Sequence, residues 1–228
     1  VEAGRDPAVG DTLGTREDVR ILAPVRPSKV VCIGLNYQHH ADEMDKTVPE
    51  EPLMFLKPPT AVIGPDQAIQ LPPQSREVHH EGELAVVIGR KTRQIAPEDV
   101  SKHLLGYTCA CDVTARDIQR REQRYTRGKG FDTFCPLGPN IVTADAFEPE
   151  EHLLSLRVDG EQKQTSTLDD FIFEIPEVIS FISHVMTLLP GDVVLTGTPM
   201  GVGPIVEGNV VEVDVDGIGV LRNPVEAR

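Results

Sequence analysis

The sequence predicts an α+β fold that is rich in strands, and three observations support that prediction. Short apolar runs with many β-branched residues recur along the 228 residues and are separated by glycines and prolines. Few segments repeat apolar residues at the spacing of three and four that an amphipathic helix requires. Strands and helices also do not alternate regularly, as they would in a doubly wound α/β fold. We therefore expect a strand-dominated domain with a few flanking helices.

Four segments carry the strand predictions. "AVIGPDQAIQLPP" alternates strand and turn signals, while "GELAVVIGR" and "LLGYTCACDVT" are apolar enough for buried strands. "NVVEVDVDGIGVLRN" alternates apolar and acidic residues on both sides of Asp216–Gly217. This last pattern is typical of a half-exposed hairpin.

Besides a short helix at "NYQHHADEM", helices are predicted in three segments. "APEDVSKHLL" has a proline in its first turn followed by acids, which is a helix-start signal. "IPEVISFISHVMTLL" repeats apolar residues at three and four and should pack against the sheet. A third helix is expected to follow Asp112 in "DVTARDIQRRE".

Length and charge limit the domain organisation and the partners. Residues 1–20 are charged and show no period, so we expect a short N-terminal extension followed by a single main domain over residues 21–228. The 22 Lys and Arg residues against 36 Asp and Glu residues give a formal net charge of −14. Nucleic acid is therefore not an expected partner, because phosphates would be repelled.

The cysteine content and the apolar runs favour a cytoplasmic protein. The four cysteines are too few and too scattered for a disulfide framework, so reduced thiols are expected. No apolar run approaches the roughly 20 residues that a membrane-spanning helix needs. The start "VEAGRDPAVGD" lacks the order of charges and apolar residues of a signal peptide.

Two glutamates in "VHHEGELAVVIG" are the first candidate metal ligands. Glu81 and Glu83 share one face of a strand, about 6.6 Å apart by strand rise, so one cation could bind both. An exposed acidic edge is the alternative for such a pair. The apolar run after Glu83 and the position of Asp112 at the end of a second apolar strand favour a shared site. Three carboxylates favour a hard cation, Mg²⁺ or Mn²⁺.

Zinc is a weaker candidate for this site. His79 and His80 precede Glu81, but the sequence lacks both H-E-x-x-H and the P-C-x-x-C half of a zinc deaminase motif. These two histidines are expected to be hydrogen-bonded or at the surface.

Four other groups are candidates, each with a structural alternative. His40 and Glu43 are three residues apart and could form a general-base pair, or simply a solvated helix face. Lys129 lies between glycines and could bind an anion, or belong to a flexible loop. Arg116 and Gln119 share one side of the third predicted helix, which could equally be a surface helix. "LTGTPMGVGP" is either a turn or a backbone cradle for a carboxylate.

In order, "GLNYQHHADEM", "FLKPPTAVIGP", "VHHEGELAVVIG", "CDVTARDIQ", "KGFDTFCPLGP" and "TGTPMGVGP" resemble the motifs of the fumarylacetoacetate hydrolase family. The similarity extends from about Ile21 to the C-terminus and is greatest to the short, single-domain members. The ordered set is far more specific than any one of its motifs.

This resemblance implies a mixed β-roll fold, a bound Mg²⁺ or Mn²⁺ and a homodimer. By position in the motifs, Glu81, Glu83 and Asp112 match the metal ligands. His40 with Glu43 matches the water-activating pair, and Lys129 matches the catalytic lysine. The matches to substrate contacts are Arg116, Gln119 and Thr198. Lys57 in "FLKPP" matches a recurrent position without an assigned role.

The leading hypothesis is hydrolysis of the C–C bond of a 2,4-diketo acid such as an acylpyruvate. Oxaloacetate decarboxylation and isomerisation of 2-hydroxyhepta-2,4-diene-1,7-dioate remain open, because they pass through a related enolate or dienolate. Two further alternatives are a non-catalytic module that binds Ca²⁺ and an aldolase that forms a Schiff base on Lys129.

Overall fold

The computed structural model of the protein describes residues 15, 19–38 and 49–228. Within these residues, fifteen strands form three sheets, flanked by three α-helices and three short 3-10 segments. The strands are β1 (Val30–Gly34), β2 (Leu53–Lys57), β3 (Val62–Ile63), β4 (Ile69–Leu71), β5 (Val78–His80), β6 (Gly82–Ile88), β7 (Leu104–Cys111), β8 (Thr114–Ala115), β9 (Cys135–Thr143), β10 (Leu153–Val158), β11 (Glu161–Thr167), β12 (Val193–Leu195), β13 (Gly203–Ile205), β14 (Val210–Val215) and β15 (Gly219–Ala227). The helices are α1 (Arg116–Glu122), α2 (Tyr125–Lys129) and α3 (Ile175–Val185), and the 3-10 segments are Pro59–Ala61, Pro97–His103 and Pro149–Glu151.

The largest sheet has seven strands in the order β2-β1-β12-β6-β7-β9-β3. It is mixed, because β1 pairs with β12 and β3 with β9 in parallel while the other neighbours are antiparallel. All seven residues of β6 are buried, as its continuous apolar run predicts. The antiparallel pair β6–β7 lies at the centre of this sheet and ends at Gly82 opposite Cys111.

A five-stranded sheet, in the order β11-β10-β14-β15-β4, packs against the large one, and β13-β5-β8 form a small third sheet. A Cβ added at Gly82 would lie 3.0 Å from Leu156 of β10, so the two sheets are in close contact beneath the start of β6. Strands β14 and β15 form the predicted hairpin, and Gly217 turns it with a φ of +82°. The strand-rich α+β prediction is confirmed.

The predicted helices differ from the structure at their ends. The segment after Ala96 forms a 3-10 helix, and Leu104 already begins β7, where it pairs with Ile88 of β6. Helix α3 begins after a Glu174–Glu177 capping box, as such a sequence favours.

Helix α3 is shorter than predicted. It ends at Val185 because Leu188 exchanges two backbone hydrogen bonds of 2.9 Å with Thr92, which holds the following residues in an extended conformation.

All four cysteines are buried free thiols, as expected. In the described segments of the chain, no helix has the length and apolar character to cross a membrane. The division into residues 1–20 and 21–228 stays a prediction.

Candidate active site

The end of the β6–β7 pair places three carboxylates together. Glu81 lies between β5 and β6, Glu83 is the second residue of β6, and Asp112 directly follows β7. The amide of Asp112 donates to the carbonyl of Glu81 at 2.8 Å, which aligns the two strand ends. One oxygen from each of the three side chains lies within 4.8 Å of the others, and all three residues are buried. Three convergent carboxylates fit a divalent cation that prefers oxygen ligands.

The three carboxylates have different electrostatic surroundings. Burial alone would raise the pKa of the Glu81 carboxyl, but the charges of Lys129 and Arg116 hold it at about 2. The pKa of Glu83 is raised well above its usual value by burial and by the neighbouring Asp112 and Glu81 charges. A backbone N–H, that of Gly197, opposes this shift by donating to Glu83 Oε2 at 2.7 Å. Of the two glutamates, Glu83 therefore has the greater electrostatic cost of ionisation.

Lys129 is the last residue of α2, and its buried ammonium lies between two of the carboxylates. Its Nζ donates to Glu81 Oε2 at 2.8 Å and contacts Asp112 Oδ2, and it lies 4.8 Å from the ring centre of Phe55. Burial alone would lower the pKa of Lys129, but the charges of Asp112 and Glu81 raise it above the usual value. A Schiff base needs a neutral amine, so this setting favours a fixed positive charge over a nucleophile.

Arg116 and Gln119 lie on one side of α1, as their spacing predicts. Arg116 Nη2 contacts Glu81 Oε1, and its Nη1 donates to Gln119 Oε1 at 2.6 Å. Because Arg116 is the first residue of α1, the helix start fixes it directly beside the carboxylates. Both side chains therefore lie beside the cluster and are half-buried.

Lys57 acquires a structural explanation that its sequence position did not provide. Its fully buried Nζ donates to Asp112 Oδ1 at 2.5 Å and to the carbonyl of Val113 at 3.1 Å. Asp112 thus has a lysine on each of its two oxygens, since Lys129 contacts the other. Lys57 holds the carboxylate of Asp112 in place from behind.

A small cavity of about 80 Å³ opens over these groups. All seven of the predicted site residues that the structure describes lie along it: Glu81, Glu83, Asp112, Arg116, Gln119, Lys129 and Thr198. The rest of its wall is mainly apolar or aromatic: Ile33, Gly34, Leu35, Leu53, Phe55 and Tyr125. Its size and its mixed lining suit a small anionic molecule with an apolar part.

His40 and Glu43, the residues predicted to form a general-base pair, lie outside the described residues. Their assignment stays a prediction from the resemblance. The two histidines beside the first glutamate are hydrogen-bonded elsewhere, as expected: His79 Nε2 lies 2.9 Å from Glu77 Oε1, and His80 Nδ1 lies 3.1 Å from Gln164 Oε1. Burial lowers the pKa of His80 to about 4.

The glycines around Lys129 serve the packing of two helices, and not the binding of an anion or a flexible loop as the sequence suggested. A Cβ at Gly128 would lie 3.1 Å from Cβ of Gln119, and one at Gly130 would lie 2.4 Å from the carbonyl of Thr126. These glycines allow α2 to pack closely on α1 and to end, which brings Lys129 to the carboxylates. The "LTGTPMGVGP" segment does cradle a carboxylate through Gly197, but that carboxylate belongs to the protein itself.

Sequence reasoning missed one polar residue at this site. Gln164 of β11 is buried and bonds to Gly82 and Thr198, behind the cavity. Local sequence offers no signal for it, because "EQKQTST" reads as an exposed polar strand.

Comparisons with known proteins agree with this geometry. The family model for the C-terminal region of fumarylacetoacetate (FAA) hydrolase matches residues 29–226. A solved structure of 5-carboxymethyl-2-hydroxymuconate delta-isomerase from Mycobacterium smegmatis is 50% identical, with a TM-score of 0.87 over 93% of this chain and 84% of that one. A mitochondrial oxaloacetate tautomerase of Bos taurus, FAHD2A, is 45% identical over 221 residues, which are 92% of this chain and 70% of the relative.

A third comparison involves a bound metal ion. The structure of maleylpyruvate hydrolase from Sphingobium sp. SYK-6 in complex with manganese(II) ion and pyruvate is 38% identical to this chain. The match covers 90% of this chain and 73% of the Sphingobium chain, with a TM-score of 0.79.

Proposed function

Because the chain belongs to the fumarylacetoacetate hydrolase family, we propose that it is a divalent-metal-dependent enzyme that acts on small 2-keto acids. The observation that carries this proposal is the convergence of three buried carboxylates and two cationic side chains, Lys129 and Arg116, at one small cavity, with Lys57 bonded to Asp112 behind them. A purely structural cluster has no need of a cavity beside it.

The balance of charge supports an anionic ligand together with a cation. Three carboxylates and the cationic groups of Lys57, Lys129 and Arg116 sum to zero when all are ionised. A divalent cation would bring the site to +2. This charge matches the enolate form of a 2-keto acid, which carries one negative charge on its carboxylate and one on its enolate oxygen.

Glu81, Glu83 and Asp112 are the residues that would hold Mg²⁺ or Mn²⁺. The manganese and pyruvate bound to the Sphingobium relative support this choice of metal and of ligand class. When bound, the cation supplies Lewis-acid polarisation and a fixed point for chelating oxygen atoms.

The cationic side chains would bind and stabilise negative oxygen atoms of the substrate. Lys129, held protonated by its neighbours, is placed to stabilise charge that develops during the reaction. Arg116, oriented by its bond to Gln119, is placed to hold a substrate carboxylate at the cavity wall. Gln119 and Thr198 complete the proposed set of substrate contacts.

The finer proposal is hydrolysis of an acylpyruvate. In this reaction His40, oriented by Glu43, would take a proton from water so that the water attacks the distal carbonyl of the substrate. Lys129 would then stabilise the resulting oxyanion, and cleavage of the C–C bond would give a carboxylic acid and pyruvate.

A second candidate is conversion of oxaloacetate, by tautomerisation or by decarboxylation. The specific observation in its favour is the 45% identity with the bovine oxaloacetate tautomerase. These reactions need proton transfer or loss of CO₂ at the carbon beside the keto group, and Lys129 and Arg116 would serve them in the same way. Isomerisation of a hydroxydienoate, the chemistry named for the Mycobacterium smegmatis relative, falls in the same class.

One experiment separates these candidates. Purified protein is given acetylpyruvate or oxaloacetate, with Mn²⁺ or with EDTA, and ultraviolet absorbance follows the diketone or the enol while chromatography identifies the products. Mn²⁺-dependent formation of acetate and pyruvate would support hydrolysis. Loss of the oxaloacetate enol or release of CO₂ that requires both the protein and Mn²⁺, with acetylpyruvate unchanged, would replace hydrolysis with the second candidate. No metal-dependent change in either acid would contradict both candidates and favour a Ca²⁺-binding module.

We propose two further properties. The few, scattered cysteines suit a cytoplasmic enzyme, and the family resemblance implies that it assembles as a homodimer. Neither a nucleic acid nor a membrane is proposed as a partner, given the net charge of −14.

A further inference from the structure

Gln164 is an unusual residue for its position in the fold. Strand β11 lies at the edge of the five-stranded sheet, and along its seven described residues Gln164 alone is buried, at 1% exposure. Burial of a side-chain amide costs free energy unless its donors and acceptors are all bonded. An apolar residue would normally occupy such a position, so the partners of this amide must account for it.

The amide of Gln164 uses its full hydrogen-bonding capacity, in one orientation only. Its oxygen accepts from the N–H of Gly82 at 2.9 Å and lies 3.1 Å from Nδ1 of His80. Its nitrogen donates to Thr198 Oγ1 and to the carbonyl of Pro199, each at 2.8 Å. Because a backbone N–H can only donate and a carbonyl can only accept, exchange of the oxygen and nitrogen positions would break these contacts.

This orientation determines the direction of the Thr198 hydroxyl. Thr198 Oγ1 accepts from Gln164, so its own hydrogen goes to the carbonyl of Gly82 at 2.9 Å. The bonds close a ring that runs from the N–H of Gly82 through Gln164 and Thr198 back to its carbonyl. Gly82 separates Glu81 from Glu83, and the ring therefore fixes the peptide groups on both sides of Gly82.

We propose that Gln164 is a positioning residue for the carboxylate cluster. Through Gly82 it sets the directions in which Glu81 and Glu83 leave the backbone, and so the separation of their carboxylates. Because the hydrogen of the Thr198 hydroxyl is already donated to Gly82, this oxygen can only accept a hydrogen bond from a ligand. It therefore suits an enol hydroxyl or a water molecule and not a substrate carboxylate. The inference rests on the proposed function only in that the cluster binds a divalent cation.

The test measures Mn²⁺ binding by isothermal titration calorimetry in the absence of any substrate. Gln164→Leu keeps most of the side-chain volume and removes the ring, and we expect it to raise the Kd for Mn²⁺ by about 10- to 100-fold, the range found when partners of metal ligands are lost. Gln162→Leu makes the same change two residues away at an exposed position of the same strand. This control is expected to leave the Kd unchanged.

Several outcomes would overturn the inference. A folded Gln164→Leu protein that binds Mn²⁺ as the wild type does would contradict it directly. If Gln164→Leu does not fold, Thr198→Val and Thr198→Ser provide a second comparison, because valine breaks the ring and serine keeps it. We expect a weaker Kd for valine only, and equal values would reject the role.

The wild-type titration separates this inference from the proposed function. Wild-type protein that binds no Mn²⁺ would overturn both. Wild-type binding with unaffected variants would overturn the role of Gln164 alone.

Discussion

Two aspartates of this protein, Asp192 and Asp112, are equally buried but have different neighbours. Both are 0% exposed, and each has a lysine on its carboxylate. Asp192 Oδ1 accepts from the N–H and hydroxyl of Ser28 at 3.0 and 2.6 Å, and its Oδ2 accepts from the N–H of Leu189 at 2.8 Å and contacts Lys29. Asp112 has Lys57 on one oxygen and Lys129 on the other, and carboxylate oxygens of Glu81 and Glu83 lie within 4.8 Å of its carboxylate.

The difference lies in what surrounds each carboxylate. Backbone donors that the fold holds in fixed positions satisfy Asp192, and this carboxylate ties the loop before β1 to the start of β12. Asp112 lies among other negative charges, balanced by side chains at the edge of a cavity. Like charges that converge in a buried site have a cost that a bound cation can offset. The neighbours of a carboxylate, and not its burial, thus distinguish a structural aspartate from a candidate metal ligand.

Among the changes that compare the carboxylate cluster with Asp192, Glu83→Gln should have the largest effect on metal binding and activity. The change removes one of three proposed ligands while it retains shape, so we expect Mn²⁺ binding to be lost and turnover of the 2-keto acid to fall by about 10³-fold. Calorimetry and steady-state kinetics measure these two quantities. Since burial and like charges raise the pKa of Glu83, a neutral glutamine there should not lower the thermal stability of the metal-free protein. Turnover at the wild-type rate would show that Glu83 is not a required metal ligand.

Lys129→Met should have the next largest effect. Methionine keeps the length of the side chain but removes the charge that we propose stabilises negative oxygen atoms of the substrate, so we expect kcat to fall by about 10²- to 10³-fold. Mn²⁺ binding should persist, because the three carboxylates remain. The comparison of kcat with the Kd for Mn²⁺ therefore distinguishes Lys129 from Glu83, and a kcat within about twofold of wild type would show that this ammonium has no part in turnover.

Asp192→Asn should have the smallest effect on activity and a moderate effect on stability. Loss of the charge-assisted bonds should lower the free energy of unfolding by about 2 kcal/mol at pH 7, while Mn²⁺ binding and kcat stay unchanged. Burial would raise the pKa of Asp192, but its bonds to Lys29, Ser28 and Leu189 hold it below the usual value.

The same aspartate gives a pH dependence with a definite sign. Because its pKa is lower in the folded state, the stabilisation is present above the unfolded pKa of about 3.9 and is lost as pH falls through the folded value. The difference in unfolding free energy between wild type and Asp192→Asn should therefore shrink below about pH 4, as urea unfolding at several pH values can measure. A difference that stays constant or grows toward acid pH would show that the carboxylate charge does not contribute.

The carboxylate cluster could be predicted from the sequence because its signals are local. Glu81 directly precedes β6, Glu83 lies on it, and Asp112 directly follows the neighbouring strand β7, so the pairing of these two strands brings the three residues together. Lys129 and Arg116 required the family resemblance, since their immediate surroundings are equally typical of a loop and a surface helix. His40 and Glu43 remain predictions from that resemblance.

The remaining parts depend on contacts between distant segments. Gln164 reaches Gly82 from another sheet, 82 residues away in sequence, and nothing in "EQKQTST" indicates a buried amide. The end of α3 is set by the pairing of Leu188 with Thr92, which overrides the apolar repeat that favours a longer helix. Packing across the molecule, and not local propensity, decides both features.

The most direct test of the account is a calorimetric titration of Mn²⁺ into wild type, Asp112→Asn and Asp192→Asn. The account predicts about one bound ion per chain for wild type and for Asp192→Asn, and no measurable binding for Asp112→Asn. Equal binding by all three proteins, or no binding by the wild type, would contradict the claim that the carboxylate cluster is a metal site.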